Sequence, residues 1–351
     1  IWDNSSNPTA TVAGSYMQSA DGWRLDVGGD VDPGTVGDPT NDYWEGFRRT
    51  VKTVNPRAYI AGEEWGIANS WLLGGEWDAV MNYQFSSAVL SLWRDEPFTD
   101  NDHSAGSSAG ELTPLSPTQF DERIQNLMER YNPESLQAML NLFDSHDTSR
   151  VLFMLDHNAD QADPTLYANP NYDWSDAINR LKGAAAIQMT MPGAPTIYYG
   201  DEVGLVGPMA YAAGKWEDDP YNRQPFPWLD ESGTPFYSHL QSQTAQDEIY
   251  DYYATLTAAR ADHAALRTGS YHTLLSSDEY GYYAYLRLIP GEDAAVVLVN
   301  RDSIAHQVTL DVSGLLPHGA TFRDVFTDQL YTIPPVHTAL EWVAVPANGV
   351  T

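Results

Sequence analysis

Short apolar runs alternate along most of the chain with longer stretches in which apolar residues recur every three or four positions. That alternation predicts βα units feeding a parallel sheet. Five runs predict strands, at 23–27, 58–62, 79–83, 138–143 and 195–199. Helical periodicity falls at 42–54, 118–131 and 175–190, with a further helix over about 244–266 and a helix tail at 9–18 ahead of the first strand. From residue 268 the texture changes to short alternating segments at 282–288, 295–300 and 306–310, punctuated by Gly and Pro, which predict a small antiparallel β domain. The expected division is therefore 1–267 and 268–351, joined by a short linker at 267–270. The polar stretch 99–110 reads as a loop. The longest uncharged run, 183–200, carries Pro192 and Pro195 and predicts a helix end followed by a buried strand, not a membrane span.

Charge narrows the choice of partner. The 351 residues hold 18 Lys and Arg against 48 Asp and Glu, a formal charge of −30. Such a surface repels phosphate backbones and acidic headgroups, so neither nucleic acid nor membrane is expected as a partner, and a neutral ligand is favoured. With 42% hydrophobic and 12% aromatic residues the chain can bury a large core. The absence of Cys excludes disulfides, thiolate metal sites and a Cys nucleophile. Abundant acids with three Lys (Lys52, Lys182, Lys215) suit a surface that stays hydrated in salt. No basic and apolar leader opens the sequence, so the compartment is unknown, with an extracellular setting slightly favoured.

Three acidic motifs follow three of the predicted strands: Asp21-Gly-Trp-Arg-Leu-Asp26, Gly62-Glu63-Glu64-Trp65 and Ser145-His146-Asp147. In a parallel barrel the C-terminal strand ends share one face, so residues distant in sequence converge there. One cleft would then hold three carboxylates, a crowding whose usual reason is acid/base and nucleophilic work on a single bond. Arg24 lies two residues before Asp26, on the same face of its strand, where a guanidinium can keep Asp26 ionised and oriented. The acidic loops Asp30/Asp32/Asp38/Asp42, Asp100/Asp102 and Asp156/Asp160/Asp163 invite calcium as an option. Solvated acidic faces are the default reading, because Gln161 and Tyr167 break the EF-hand template. The nine His include no HExxH-like pair for zinc.

Five segments in order, DGWRLDV (21–27), AGEEW (61–65), FDSHDTSR (143–150), PGAPTIYYGDEVG (192–204) and DPYNRQPFPW (219–228), resemble the α-amylase family, glycoside hydrolase family 13. Within it the chain is most similar to the cyclomaltodextrinase, neopullulanase and amylopullulanase-like enzymes. The resemblance implies an α/β fold, a (β/α)8 TIM barrel followed by a small antiparallel β-sandwich. It also implies retaining hydrolysis of α-1,4, and as an option α-1,6, glucosidic bonds in starch, pullulan or cyclodextrins, with no organic cofactor. Carried over by position, Asp26 resembles the nucleophile and Glu63 the general acid/base. Asp147 resembles the third carboxylate, and His146 a ligand of sugar hydroxyls. Trp65 resembles an acceptor-side stacking platform, Asp30 is a further glucan-contact candidate, and Arg150 is another such candidate or else a cation that holds a loop. Retention implies Asp26 and Glu63 carboxyls roughly 5–5.5 Å apart.

The chain also departs from that family. Its first predicted strand matches the family's fourth, and the Asp-x-x-x-x-Asn-His region of the third strand is not found. The expected fold is thus strands four to eight of a barrel. The expected partner is a missing N-terminal portion of the same protein, without which turnover by this piece alone is not expected, and a homodimer through an N-terminal domain is a further option. Gly28-Gly29-Asp30 replaces the branch's usual Ala/Pro-Asn-Glu. Asp26 and Glu63 are 63 − 26 = 37 positions apart, with the excess in the Pro/Gly-rich stretch 33–41. Two alternatives share these residues: an α-glucan transglycosylase, and a non-catalytic relative acting as a binding or structural protein.

Overall fold

The computed structural model describes residues 20–32, 42–234, 241–335, 338–347 and 349–351. The expected helix tail at 9–18 and the loop 33–41, with Asp38, lie outside the described residues.

The apolar runs form a parallel arc in sequence order: β1 Gly22–Leu25, β2 Tyr59–Gly62, β3 Ala79–Val80, β4 Leu140–Asn141 and β5 Ala194–Pro195. Gly22 pairs with Tyr59 and Leu25 with Gly62, β2 pairs parallel with β3, and a Met81–Leu140 bridge carries the pairing on to β4 and β5. These strands are shorter than the apolar runs, because local signals in three of the runs claim residues for helix or turn. Asn82 caps a helix by accepting from Phe85 N at 3.2 Å, so Tyr83 belongs to that helix and not to β3. Asn132 and Pro133 start a helix that takes Ala138 from the fourth run. Tyr198 and Tyr199 lead into a turn that Gly200 completes with φ 97°.

The helices, in order, are a turn α1 Gly28–Val31, α2 Tyr43–Val54, α3 Tyr83–Leu92, α4 Pro117–Arg130, α5 Pro133–Ala138, α6 Val151–Met154, α7 Ser175–Thr190 and α8 Gln243–Asp262. A capping box starts α4: the Ser116 hydroxyl accepts from Gln119 N while Gln119 Oε1 accepts from Ser116 N, with Pro117 in the first turn. The periodicity expected over 244–266 breaks at His263, which ends α8 and precedes α9 Ala264–Thr268. Helix α3 was hidden from periodicity because it is buried nearly all round, so no polar face marks its pitch. It joins α7 and Phe143 in the largest core, while Trp44, Trp71 and Trp77 pack with Ile60 and Val80 in a second core beside β1–β3.

Between β5 and α8 lies an antiparallel pair, β6 Ala210–Ala212 with β7 Lys215–Glu217; beyond α9 the chain is β-rich and antiparallel, and includes the pair β12 Thr321–Arg323 with β13 Leu330–Thr332. The strands β8 Ser270–Ser277, β9 Tyr282–Ile289 and β10 Asp293–Asn300 form a sheet with β15 Gly349–Val350, in the order β15-β10-β9-β8. A separate pair, β11 His306–Asp311 with β14 Ala339–Val345, shares a third core with β9 and β10 through Ala284, Leu298, Leu310 and Leu340. No helix among the described residues is long and apolar enough to cross a membrane.

Candidate active site

The C-terminal ends of β1 and β2 lie side by side, and their register places Asp26 next to Glu63. Arg24 joins the two. Its Nη1 donates to Asp26 Oδ1, and its Nη2 donates to Glu63 Oε1 at 2.9 Å. The Asp26 side chain is 75% exposed at the mouth, whereas Glu63 is only 5% exposed. The second oxygen of Glu63, Oε2, accepts from Val27 N at 2.8 Å. That bond depends on an unusual backbone. Val27 has φ 44° and ψ 39°, a left-handed conformation that costs a β-branched residue strain, and the turn it makes aims its N–H at Glu63. Gly62 allows the close packing beneath Glu63: a Cβ there would lie 2.2 Å from the Trp77 ring.

Asp147 belongs to the same cleft. Tyr83 links it to α3: its hydroxyl donates to Ser145 Oγ at 2.9 Å, and that oxygen in turn accepts from Asp147 N at 3.0 Å. Burial raises the Tyr83 phenol well above its ordinary value against the pull of the Ser145 hydrogen bond, and the charges of Glu63 and Asp147 add to the rise. The Asp147 carboxyl is held by His146 Nε2 at 3.0 Å and Arg223 Nη2 at 3.3 Å, and Arg223 Nε reaches Asp219 at 2.7 Å. Trp65 lies flat on Tyr83, with ring centroids 3.7 Å apart and 8° from parallel. A cavity of about 270 Å³ opens here, lined by Glu63, Trp65, Asp30, Asp102 and Ser108 among others. Asp30 is exposed on its wall, in the helical turn that follows Asp26.

Arg150 departs from its expected place as a glucan contact. It is 2% exposed, donates to Tyr199 O, lies 3.8 Å from Asp201 and stacks under Tyr198 and Tyr199 at 4.2 and 4.6 Å. Its guanidinium is used within the protein, fastening the segment after β5, because a side chain that reaches the core from residue 150 meets two aromatic faces before it meets solvent.

Sequence reasoning missed the part played by the 99–110 loop. Asp100 and His103 are fully buried; Asp100 accepts from His103 N at 2.6 Å and from Ser149 N at 3.1 Å, which ties the loop to the segment carrying Asp147. Burial opposes ionisation of Asp100, yet His103 and these N–H donors hold its carboxyl below the usual range. Asp102 faces Asp218, whose Oδ1 accepts from Asn101 Nδ2 at 3.0 Å, and burial with Asp218 and Asp100 nearby pushes Asp102 up to about 7. The alternation of acids and Asn in this loop was the available signal. It gave no hint of a partner 116 positions away. Of the calcium-option loops, Asp156 accepts from Tyr167 and Tyr172 hydroxyls at 2.7 and 2.6 Å, Asp160 pairs with Arg94, and Asp163 caps Thr165.

Residues 7–269 match the model of the alpha amylase catalytic domain. An amylopullulanase of Thermoanaerobacterium saccharolyticum is 33% identical over 326 residues, covering 90% of this chain and 22% of that protein. Ttha1563 of Thermus thermophilus superposes with a TM-score of 0.70 at 30% identity, over 95% of this chain and 58% of that one. A solved cyclomaltodextrinase superposes with a TM-score of 0.65 at 31% identity, over 94% of this chain and 44% of that one. The chain thus spans about a fifth of the amylopullulanase and under two thirds of either solved relative.

Proposed function

The chain belongs to the alpha-amylase family of glycoside hydrolases, and on that premise we propose that it carries the catalytic carboxylates of a retaining α-glucan hydrolase acting on starch, pullulan or cyclodextrins. The observation that carries this reading is Arg24, whose single guanidinium holds Asp26 and Glu63 at once. A planar fork fixes the spacing of two carboxyls, which supports the close separation that retention requires, roughly 5–5.5 Å.

In this reading Asp26, open at the mouth, attacks the anomeric carbon while Glu63 protonates the leaving glycosidic oxygen, giving a covalent glycosyl ester on Asp26. Glu63 then takes a proton from water, and the resulting hydroxide displaces Asp26 from the sugar. The ion pair with Arg24 orients Asp26 for the attack. Asp147, oriented by His146 and Arg223, accepts hydrogen bonds from sugar hydroxyls. Trp65, backed by Tyr83, offers its free face to a glucose on the acceptor side. The parallel arc stands for strands four to eight of the (β/α)8 barrel, completed by an N-terminal portion of the same protein, and the β-rich C-terminal part forms a sandwich.

The test is a reducing-sugar assay of the full polypeptide on pullulan, starch and cyclodextrin, beside its Asp26→Asn variant. Activity on at least one glucan that disappears with Asp26→Asn is the expected result. A wild-type protein inert on all three glucans would overturn the assignment.

A further inference from the structure

Behind the catalytic cleft, on the side of the second core, three carboxylates meet. Asp32, Glu45 and Glu76 each bring one oxygen to within 4.8 Å of the others. They come from separate elements: Asp32 follows the α1 turn, Glu45 sits in the first turn of α2, and Glu76 lies in the loop before β3.

These carboxylates are not solvated surface charges. Glu76 is 5% exposed, and its Oε2, like Glu45 Oε2, is buried with no hydrogen-bond donor. Two of the basic side chains of α2 are engaged elsewhere: Arg48 and Lys52 both pair with Asp78, at 2.8 and 2.7 Å, and Arg48 reaches the backbone oxygen of Glu76, not its carboxyl, at 3.1 Å. Among the described residues neither Glu45 nor Glu76 has an ion-pair partner. Burial, with Glu45 and Asp32 alongside, pushes the Glu76 carboxyl up to about 7. A buried acceptor without a donor is costly, and two from converging carboxylates are more so, unless a positive charge sits between them.

We propose that Asp32, Glu45 and Glu76 form a binding site for a hard divalent cation, calcium above all, which braces the turn after Asp26. The donor set is oxygen alone, as hard cations prefer. Two oxygens held by one ion at roughly 2.3–2.6 Å lie at most about 5 Å apart, a limit that the 4.8 Å spread respects. Water completes the shell on the half-buried Glu45 side. The coupling to the cleft is direct. Asp32 Oδ2 accepts from Tyr43 N at 3.0 Å, Asp32 O accepts from Trp71 Nε1 at 2.7 Å, and Trp44 Nε1 donates to Gly28 O at 2.9 Å. An ion here therefore ties α2, the Trp71 loop and the α1 turn together immediately behind Val27 and Asp26.

Terbium(III), a calcium surrogate that indole rings sensitise, tests the site in the full polypeptide, since Trp44 and Trp71 both bond to its frame. After EDTA treatment and buffer exchange, wild type, Glu76→Gln and Glu45→Gln are titrated with terbium and then with calcium as competitor. The expected result is one fewer sensitised, calcium-displaceable ion in each variant, or at least a tenfold weaker one. The melting rise that calcium gives wild type over EDTA should also shrink in Glu45→Gln. Glu45 is half-buried at the start of α2, so its variant keeps the test decisive should Glu76→Gln fail to fold. Equal stoichiometry and affinity in wild type and variants, or no bound ion in wild type, overturns the site. Because the readout is binding, this result is independent of whether the hydrolase assignment holds.

Discussion

Val27 gives its backbone N–H to Glu63 Oε2 at 2.8 Å, and it can do so only from a left-handed backbone with φ 44°. That conformation costs a non-glycine residue about 1–2 kcal/mol. The Val27 side chain is 50% exposed and contributes little burial in return, so the strain is held for the sake of the N–H direction. Val27→Gly accepts the same φ freely and keeps the donor, and should leave kcat within a factor of about three with an unchanged or slightly higher melting temperature. Val27→Pro removes the donor and forces φ near −65°, and misplacing Glu63 by about 1 Å should lower kcat on cyclodextrin by about 10²-fold. Equal loss in both variants would mean that the valine side chain, not the turn, positions Glu63.

The two carboxylates should fail in different ways. In the proposed roles Asp26→Asn removes the nucleophile and should abolish turnover of every glycoside. Glu63→Gln removes the proton donor and should lower kcat on starch or pullulan by about 10²–10⁴-fold. An aryl glycoside with an acidic leaving group needs little protonation, so with Glu63→Gln its first step should be nearly unimpaired, seen as a burst of released phenol. Identical losses on natural and aryl substrates would argue against the assigned division of roles.

How much of this was legible in the sequence can be traced residue by residue. The placing of Asp26, Glu63 and Asp147 around one cleft was legible because parallel strands deliver their C-terminal ends to one face, so a motif after each strand suffices. Arg24 was placed by strand alternation, although its second partner, Glu63, lies on a neighbouring strand and could not be read from spacing. Arg150 stayed open between a glucan contact and a loop-holding cation because its motif neighbours are cleft residues, while its side chain turns inward to Tyr198 and Tyr199. The helix at 83–92 escaped notice because burial on all sides erases the polar stripe that reveals helical pitch. Asp102 looked like one acid in a polar loop, since its environment is set by Asp218, brought near by tertiary folding alone.

Trp65 owes its orientation to Tyr83. The near-parallel stack at 3.7 Å fixes one face of the indole, and the ring forms part of the cavity wall. Tyr83→Phe keeps the stack and loses only the bond to Ser145 Oγ, so stability should fall by about 1 kcal/mol with KM nearly unchanged. Tyr83→Ala removes the backing, and loss of an aromatic pair worth about 0.5–1.5 kcal/mol should raise KM for maltooligosaccharides roughly 3–10-fold. Steady-state kinetics on a defined oligosaccharide separate the two; a Tyr83→Ala variant with wild-type KM would remove Trp65 from the acceptor site.

Asp102 should make stability depend on pH in a way that one substitution can isolate. Burial, reinforced by Asp218 and Asp100, pushes its carboxyl up to about 7, against about 3.9 in an unfolded chain. Between those values the folded protein holds a proton that the unfolded chain has released. The unfolded state therefore binds fewer protons, and stability falls as pH rises from about 4 to about 7. Asp218, itself raised by burial, titrates together with Asp102. Asp102→Asn is neutral at every pH and keeps the shape of the loop. Its melting temperature relative to wild type should climb from pH 5 to about pH 7 and level off above that, because over this range folded wild type holds a proton that its unfolded chain has released, whereas residue 102 of the variant binds no proton in either state. Calorimetry of both proteins across that range gives the answer: a difference that stays flat with pH would mean Asp102 is already ionised at pH 5 and that the crowding of acids around the cavity is relieved in some other way.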